Sequence, residues 1–117
     1  MKIIKPEEKD WFEGKGYSKK VLLDEDDLGL PGVWVQEVLI KAGGTASLHY
    51  HKKQTEIFYF FDSNGYWLIN GKKFTFGTGD ALVIEPNDRH EVVNDTKEEY
   101  RYLCFKQNYE EGDFYED

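Results

Sequence analysis

Residues 43–56 read GGTASLHYHKKQTE, and the alternation around the two histidines predicts a β-strand that begins after the glycine pair. His49 and His51 are two positions apart, so a strand places both imidazoles on the same face. Glu56 follows five positions after His51, and the remaining histidine of the chain, His90, lies beyond a later turn. Imidazoles and a carboxylate form a ligand set suited to divalent Mn, Fe, Co, Ni, Cu or Zn. The sequence therefore predicts a metal site on a β framework.

Short apolar segments separated by turn signals extend outward from this stretch. The predicted strands are residues 20–23, 33–40, 45–51, 57–61, 65–69, 72–76, 81–84, 90–94 and 100–105. Asn70-Gly71 between two of them is a strong hairpin signal, and residues 6–10 are read as a helical turn. Strands at such short and regular spacing, without a long helix, predict an all-β sandwich or barrel that spans residues 1–117 as one domain.

The composition indicates a globular chain with an acidic surface. With 117 residues, 39% hydrophobic and 16% aromatic, the chain is too apolar for disorder and long enough for one core. Its net charge of −8 argues against nucleic acid or an anionic membrane as a partner. No apolar run of the length of a membrane span and no signal-like N-terminus are found, so we expect a cytoplasmic protein.

Alternation along the strands predicts which side chains share the interior with the histidines. The predicted inward set is Thr45, Ser47, His49, His51, Glu56, Phe58, Phe60, His90, Val92 and Asn94. A polar centre with apolar walls is typical of a small-molecule site. Ile57, Tyr59 and Phe61 occupy the opposite face of their strand, which therefore needs cover on both faces, either from other strands or from a second subunit.

The spacing of these residues resembles that of the cupin superfamily of small jelly-roll barrels. Its first motif, G-x5-H-x-H-x(3,4)-E-x6-G, is matched by Gly43, His49, His51 and Glu56. Its second motif, G-x5-P-x-G-x2-H-x3-N, is matched by Gly79, His90 and Asn94. The resemblance covers roughly residues 33–105 and implies a double-stranded β-helix, that is, a jelly-roll barrel with a single cupin domain.

Three positions depart from the two motifs. Ser63 stands where the first motif ends in glycine, Glu85 occupies the usual proline position, and Asn87 replaces the glycine of the second motif. Asparagine tolerates the left-handed backbone conformation better than most residues, so we expect the turn to be kept. None of the three is a ligand position, and the predicted metal site is therefore unaffected.

The resemblance also implies how the site would work. In metal-dependent cupins the matching positions bind one divalent transition metal, so the implied ligands are His49, His51, Glu56 and His90. Glu56 is in addition the candidate catalytic residue, because it could alternate between ligand and general base. Such cupins include dioxygenases, oxalate-degrading enzymes and sugar-phosphate isomerases. This implies an oxygenase, isomerase or decarboxylase type of enzyme acting on a small organic or sugar-like substrate.

Other functions remain open at this point. The same pocket could hold a ligand in a non-catalytic binding or sensing module. A metal-free, epimerase-like cupin would instead use a histidine as base with an acidic partner, but the complete ligand set argues against it. A pocket that has lost its metal affinity is a further alternative.

Five other residues have both a functional and a structural interpretation. Arg89 could bind a substrate carboxylate or phosphate, although an exposed turn arginine is the simpler interpretation. Asn94 could orient a ligand or simply bond to the backbone. Cys104, the one cysteine, could approach the pocket, but a small buried hydrophobe is the simpler interpretation. Phe58 and Phe60 could stack on a substrate, but core packing is favoured for both.

The two flanks of the predicted barrel are assigned separately. Residues 1–32 are expected to form an N-terminal arm that pairs across the two-fold axis of a homodimer. Residues 106–117 are expected to form a solvated acidic tail, held down by Phe114 and Tyr115.

Overall fold

The computed structural model describes all residues from Met1 to Asp117. Its strands are β1 (Phe12–Glu13), β2 (Tyr17–Leu23), β3 (Trp34–Ile40), β4 (Thr45–His49), β5 (Thr55–Phe60), β6 (Tyr66–Ile69), β7 (Lys72–Phe74), β8 (Ala81–Ile84), β9 (His90–Val93) and β10 (Tyr100–Gln107). The helical segments are a 3-10 turn, Pro6–Glu8, and the helix α1, Glu25–Leu28. Neither has the length or hydrophobicity that a membrane crossing requires.

The strands form two antiparallel sheets. The larger has the order β1-β2-β3-β10-β5-β8, and the smaller has the order β4-β9-β6-β7. Strands distant in sequence are neighbours in space, since β10 lies between β3 and β5, and this is the long-range pairing of a jelly roll. The prediction of an all-β jelly-roll barrel is confirmed, and each predicted strand forms within a few residues of its expected bounds.

Aromatic side chains fill one end of the barrel. The indole Nε1 of Trp67 donates a hydrogen bond to the hydroxyl of Tyr100 at 3.0 Å, and both side chains are fully buried. The ring of Phe60 stacks on that of Phe76 with centroids 4.8 Å apart. Along β10 the inward positions change from tyrosine to Cys104 and then to a lysine, so the apolar core gives way to a polar cavity at the other end.

Two turns take the conformations that their residues predict. Asn70 and Gly71 have φ values of 50° and 82°, as required by the tight turn that joins β6 to β7. Asn87 has a φ of 73°, so it takes the left-handed conformation in place of the motif glycine. The turn that delivers His90 is therefore kept, as expected.

The N-terminal segment adds two strands to the larger sheet. β2 pairs antiparallel with β3 of its own chain, and β1 pairs with β2 at the edge of the sheet. The expected pairing of this segment with a second copy stays a prediction. Lys20, on the outer face of β2, is buried because its Nζ donates to the backbone oxygen of Pro6 at 2.9 Å and lies over the ring of Trp11. Residues preceding β2 thus cover the outside of the larger sheet.

The C-terminal segment is largely exposed and anchored to the barrel, but one of its acidic residues is buried. Asp113 is buried, and its carboxylate accepts hydrogen bonds from the backbone N–H groups of residues 52–54 at 2.8–3.0 Å. Tyr115 exchanges two backbone hydrogen bonds with Tyr50, at 2.9 and 3.0 Å. The anchoring by Phe114 and Tyr115 agrees with the prediction. The burial of Asp113 was not predicted, because this residue was counted as surface charge, whereas it is the acceptor that the loop after His51 needs.

Candidate metal centre

A β-bulge in β4 precedes His49 and changes which residues of the strand face inward. Ala46 is paired with Val92 and His49 with His90, so β4 has one more residue than β9 between these two pairs. The extra residue breaks the alternation. Thr45, predicted to face inward, is exposed, and Ala46 packs against the core in its place.

The four predicted ligands converge on one point. One ligand atom from each of His49, His51, Glu56 and His90 lies within 4.8 Å of every other. The side chains of His51, Glu56 and His90 are buried, and that of His49 is half-buried. The structure thus brings together residues from three separate strands and the loop after β4, in a group that could hold one ion.

Each imidazole is oriented by a backbone carbonyl. Nδ1 of His49 lies 2.7 Å from the oxygen of Ser47, that of His51 lies 2.5 Å from the oxygen of Asp113, and that of His90 lies 2.9 Å from the oxygen of Asp88. A carbonyl oxygen can only accept, so Nδ1 carries the proton in all three rings. In the neutral tautomer the lone pair is then on Nε2, as in histidines that bind metals.

The carboxylate of Glu56 meets two of these rings. Its Oε1 lies 3.2 Å from Nε2 of His51 and 3.4 Å from Nε2 of His90, yet at angles that make no good hydrogen bond. Its Oε2 accepts from the thiol of Cys104 at 3.2 Å. A buried carboxylate oxygen without a hydrogen bond, facing two imidazole nitrogens, fits a cation between them.

Burial and mutual contacts also set the charges at the site. Burial and the neighbouring His90 lower the pKa of His49 to about 4, so this ring is neutral near pH 7. Burial alone would raise the pKa of Glu56, but contacts with His51 and His90 hold it well below its usual value. Burial lowers the pKa of His51, but the Glu56 carboxylate raises it, and the net effect is an increase. The Glu56 carboxyl is therefore ionised near neutral pH.

The cluster forms part of a cavity of about 180 Å³ inside the barrel. The cavity is smaller than the roughly 300–1,000 Å³ of sites that bind drug-sized molecules. Its apolar walls come from both sheets and include Val38, Phe58, Trp67, Val92 and Phe114. This is the polar centre with apolar walls that the strand alternation predicted.

Phe114 and Asp113 are among the site residues that the sequence analysis did not place there. Phe114 stacks on the ring of His49, with centroids 4.8 Å apart and planes at 21°, and lines the cavity mouth. Asp113 supplies the carbonyl that orients His51. The only sequence signal for either was the apolar Phe114 in an otherwise acidic segment, and it was interpreted as an anchor for the tail.

The remaining candidates are structural. Asn94 is fully buried, and its amide bonds to the backbone oxygens of Ile40 and Glu98. Arg89 lies over the ring of Tyr50 and donates to the backbone oxygen of Asp117, so it is engaged outside the cavity.

The last three candidates agree in part with their structural interpretation. Burial raises the pKa of Cys104 well above its usual value, which keeps the thiol neutral. Phe60 belongs to the core, as predicted, whereas Phe58 belongs to the core and also faces the cavity.

Three solved structures share the fold of this chain but are distant from it in sequence. KdgF from Halomonas sp. superposes with a TM-score of 0.80 at 18% identity, covering 95% of this chain and 96% of that one. The polyketide cyclase RemF from Streptomyces resistomycificus gives 0.82 at 20% identity, covering 99% and 84%. Ectoine synthase from P. lautus gives 0.81 at 20% identity, covering 98% and 88%. At such identities the likeness shows that the fold is shared, and it carries no information about activity.

Sequence comparison supplies the family. No curated protein sequence matches the chain. The family model described as the cupin domain matches residues 36–106, which include all four clustered residues and most of both sheets. Because the match covers more than half of the chain, and the fold and both motifs agree with it, this protein belongs to the cupin family.

Proposed function

We propose that the protein binds one divalent transition metal through His49, His51, Glu56 and His90 and is an enzyme acting on a small organic substrate. The observation that carries the proposal is the set of three Nδ1–carbonyl hydrogen bonds, which direct three Nε2 atoms toward one carboxylate. A core without a metal has no need for three histidines oriented in this way. Histidines that bind a metal regularly donate the proton of their other ring nitrogen to an acceptor of this kind.

The side chains around the cluster suit chemistry on a bound molecule. A bound ion would supply Lewis acidity at this point. Glu56, held ionised, is placed to act as ligand and to accept a proton from a substrate. Burial raises the pKa of Tyr102 well above its usual value, so its phenol stays protonated beside the cavity. Phe58, Trp67 and Val92 exclude water from the reacting centre.

The structural neighbours favour an enzyme over a sensor. Two of the three compared above carry enzyme names, a polyketide cyclase and ectoine synthase, and a nucleoside dehydratase, Pac13, shares the fold with a TM-score of 0.76. A barrel of this size therefore supports several reactions on small molecules. The cavity has apolar walls and a few converging polar groups, which is the arrangement that such a reaction requires.

We also propose that the protein is a homodimer formed through the outer face of the larger sheet. This apolar face consists of Ile57, Tyr59, Phe61, Val83 and Phe105, all exposed. Phe105, Ile57 and Val83 lie side by side on β10, β5 and β8, so the exposed apolar surface is continuous. A continuous patch of this kind is typical of an interface, and a second copy would provide the cover that β5 lacks.

Metal analysis and turnover together test the proposal. Untagged protein, loaded with Mn, Fe, Co, Ni, Cu or Zn and desalted, is expected to retain about one equivalent of at least one of these ions. The loaded protein is then assayed against panels of organic acids, phenols and sugar derivatives. Retention without turnover on any panel would favour the binding or sensing alternative, and less than a tenth of an equivalent of every ion would refute the metal site.

A further inference from the structure

The cavity contains two lysines that the metal site does not use. Lys19 on β2 and Lys106 on β10 both line it and are half-buried. The amino group of neither lysine forms an ion pair or donates a hydrogen bond to a protein atom. Lys19 Nζ lies 5.3 Å from the ring centre of Phe12, and Lys106 Nζ lies 5.1 Å from that of Tyr109. Neither ring lines the cavity, so each ammonium group has an aromatic contact outside it while the side chain itself lines the cavity, and neither group has a counter-ion from the protein.

These positive charges interact electrostatically with each other and with the four clustered ligand residues. Burial and the charge of Lys106 lower the pKa of Lys19, so the two groups repel each other. The charge of Lys106 also contributes to the lowered pKa of Glu56, which is its direct neighbour across β5 and β10. Glu56 is the single carboxylate in the cavity wall, and it is already engaged by His51 and His90.

The cavity therefore has an excess of positive charge in a chain whose net charge is −8. A divalent ion bound at the cluster would increase that excess. Unpaired cations in a partly desolvated cavity are unfavourable unless an anion enters to neutralise them. The charge pattern thus selects for anionic ligands and against cationic ones.

Gln36 adds an independent sign of a missing ligand. Its side chain lies on β3, is 5% exposed and lines the same cavity. Its Oε1 is buried and has no hydrogen-bond partner. A buried acceptor without a donor costs stability, and a ligand hydroxyl would satisfy it.

We propose that Lys19 and Lys106 form an oxyanion subsite, and that the substrate is a small organic anion whose carboxylate or phosphate binds there. A hydroxyl group on the same molecule would donate to Oε1 of Gln36. The cavity volume of about 180 Å³ restricts the substrate to a few carbon atoms besides the anionic group. That the anion is a substrate rests on the proposed function, whereas the binding of the anion requires only the two lysines.

Calorimetric titration with defined probes tests the subsite. Malonate, inorganic phosphate and the neutral analogue malonamide are titrated into metal-loaded and metal-stripped protein. Lys19→Met and Lys106→Met keep the length of the side chain and remove its charge, and Lys97→Met, in an exposed turn, is the matched control. We expect malonate or phosphate to bind, malonamide not to bind, and each cavity variant to weaken anion affinity by about tenfold or more, with no effect of the control.

The outcomes separate this proposal from the metal site. Equal affinity in wild type and both cavity variants, or no binding of either anion, would overturn the subsite. Equal binding of malonamide and malonate would overturn it as well, because charge would then play no part. If the wild-type protein retains no metal after loading but still binds the anions, the subsite is supported and the metal-dependent enzyme is refuted. A preference for phosphate over malonate would identify the anionic group as a phosphate.

Discussion

The backbone oxygen of Asp113 accepts a hydrogen bond from Nδ1 of His51 at 2.5 Å, although the two residues are 62 positions apart. The carboxylate of Asp113 accepts three backbone hydrogen bonds from residues 52–54, directly after this histidine. One residue of the C-terminal segment thus fixes both the ring of a proposed ligand and the loop that follows it. This contact joins the far end of the chain to the candidate metal centre.

Removing the Asp113 carboxylate should weaken both the fold and the site. In Asp113→Ala the three backbone N–H groups lose their acceptor, and we expect the free energy of unfolding to fall by about 1–3 kcal/mol. The loosened carbonyl would orient His51 less well, so metal affinity should fall by about 10–100-fold. Urea unfolding and competition with a chelator measure the two effects. Glu116→Ala, at an exposed position of the same segment, is the control. Unchanged metal affinity would show that this contact has no part in positioning the ligand.

Removing one of the ligands should couple metal content to stability. His51→Ala is expected to lower metal content to less than half of the wild-type value. It should also lower the melting temperature of the metal-loaded protein, because a ligand that binds only the folded state stabilises it. Elemental analysis and thermal unfolding are compared with those of Glu91→Gln, which lies next to His90 in sequence but does not line the cavity. If neither quantity changes in His51→Ala, the cluster is vestigial.

Phe114 is expected to control access to the ion. Its ring stacks on that of His49 and is half exposed, so it covers the ligand without belonging to the core. Phe114→Ala should accelerate the removal of the metal by EDTA several-fold and leave the metal content at equilibrium within about twofold, since no ligand is lost. The rate of metal release after addition of EDTA measures this effect, and Phe74→Ala, an exposed aromatic residue of β7, is the control. Equal release rates would mean that the ring does not restrict access.

The core can be tested apart from the site. In Tyr100→Phe the buried indole N–H of Trp67 loses its acceptor, and we expect a loss of about 1–3 kcal/mol in the free energy of unfolding. Metal content should be unchanged, because Tyr100 does not line the cavity. Urea unfolding is compared with that of Tyr66→Phe, a half-buried tyrosine of β6. A loss of metal in Tyr100→Phe would show that the core and the site are coupled.

The predictable features were those encoded by neighbouring residues. Period-two alternation located the strands, Asn70-Gly71 located the hairpin, and the motif spacing identified the ligand cluster. The bulge that exposes Thr45 could not be predicted, because it depends on how β4 and β9 pair across the sheet.

The role of Asp113 was hidden for a similar reason. A single acidic residue has the same local pattern whether it is solvated or accepts hydrogen bonds from a distant loop. Long-range contacts of this kind are formed only when the barrel closes, and they leave no period in the sequence.

The apolar face yields the last prediction. Tyr59 lies near its centre, between Leu103 of β10 and Ala81 of β8, and is 47% exposed. Burying this surface against a second copy would remove it from water, so the wild type should run as a dimer in light scattering. Tyr59→Glu places a charge at the centre of the proposed interface and should shift the mass to that of a monomer while metal content is kept. Phe74→Glu places the same charge on an exposed aromatic position of the other sheet and should leave the dimer intact. A wild type that is monomeric at micromolar concentration, or dimers that persist in Tyr59→Glu, would exclude this face as the interface.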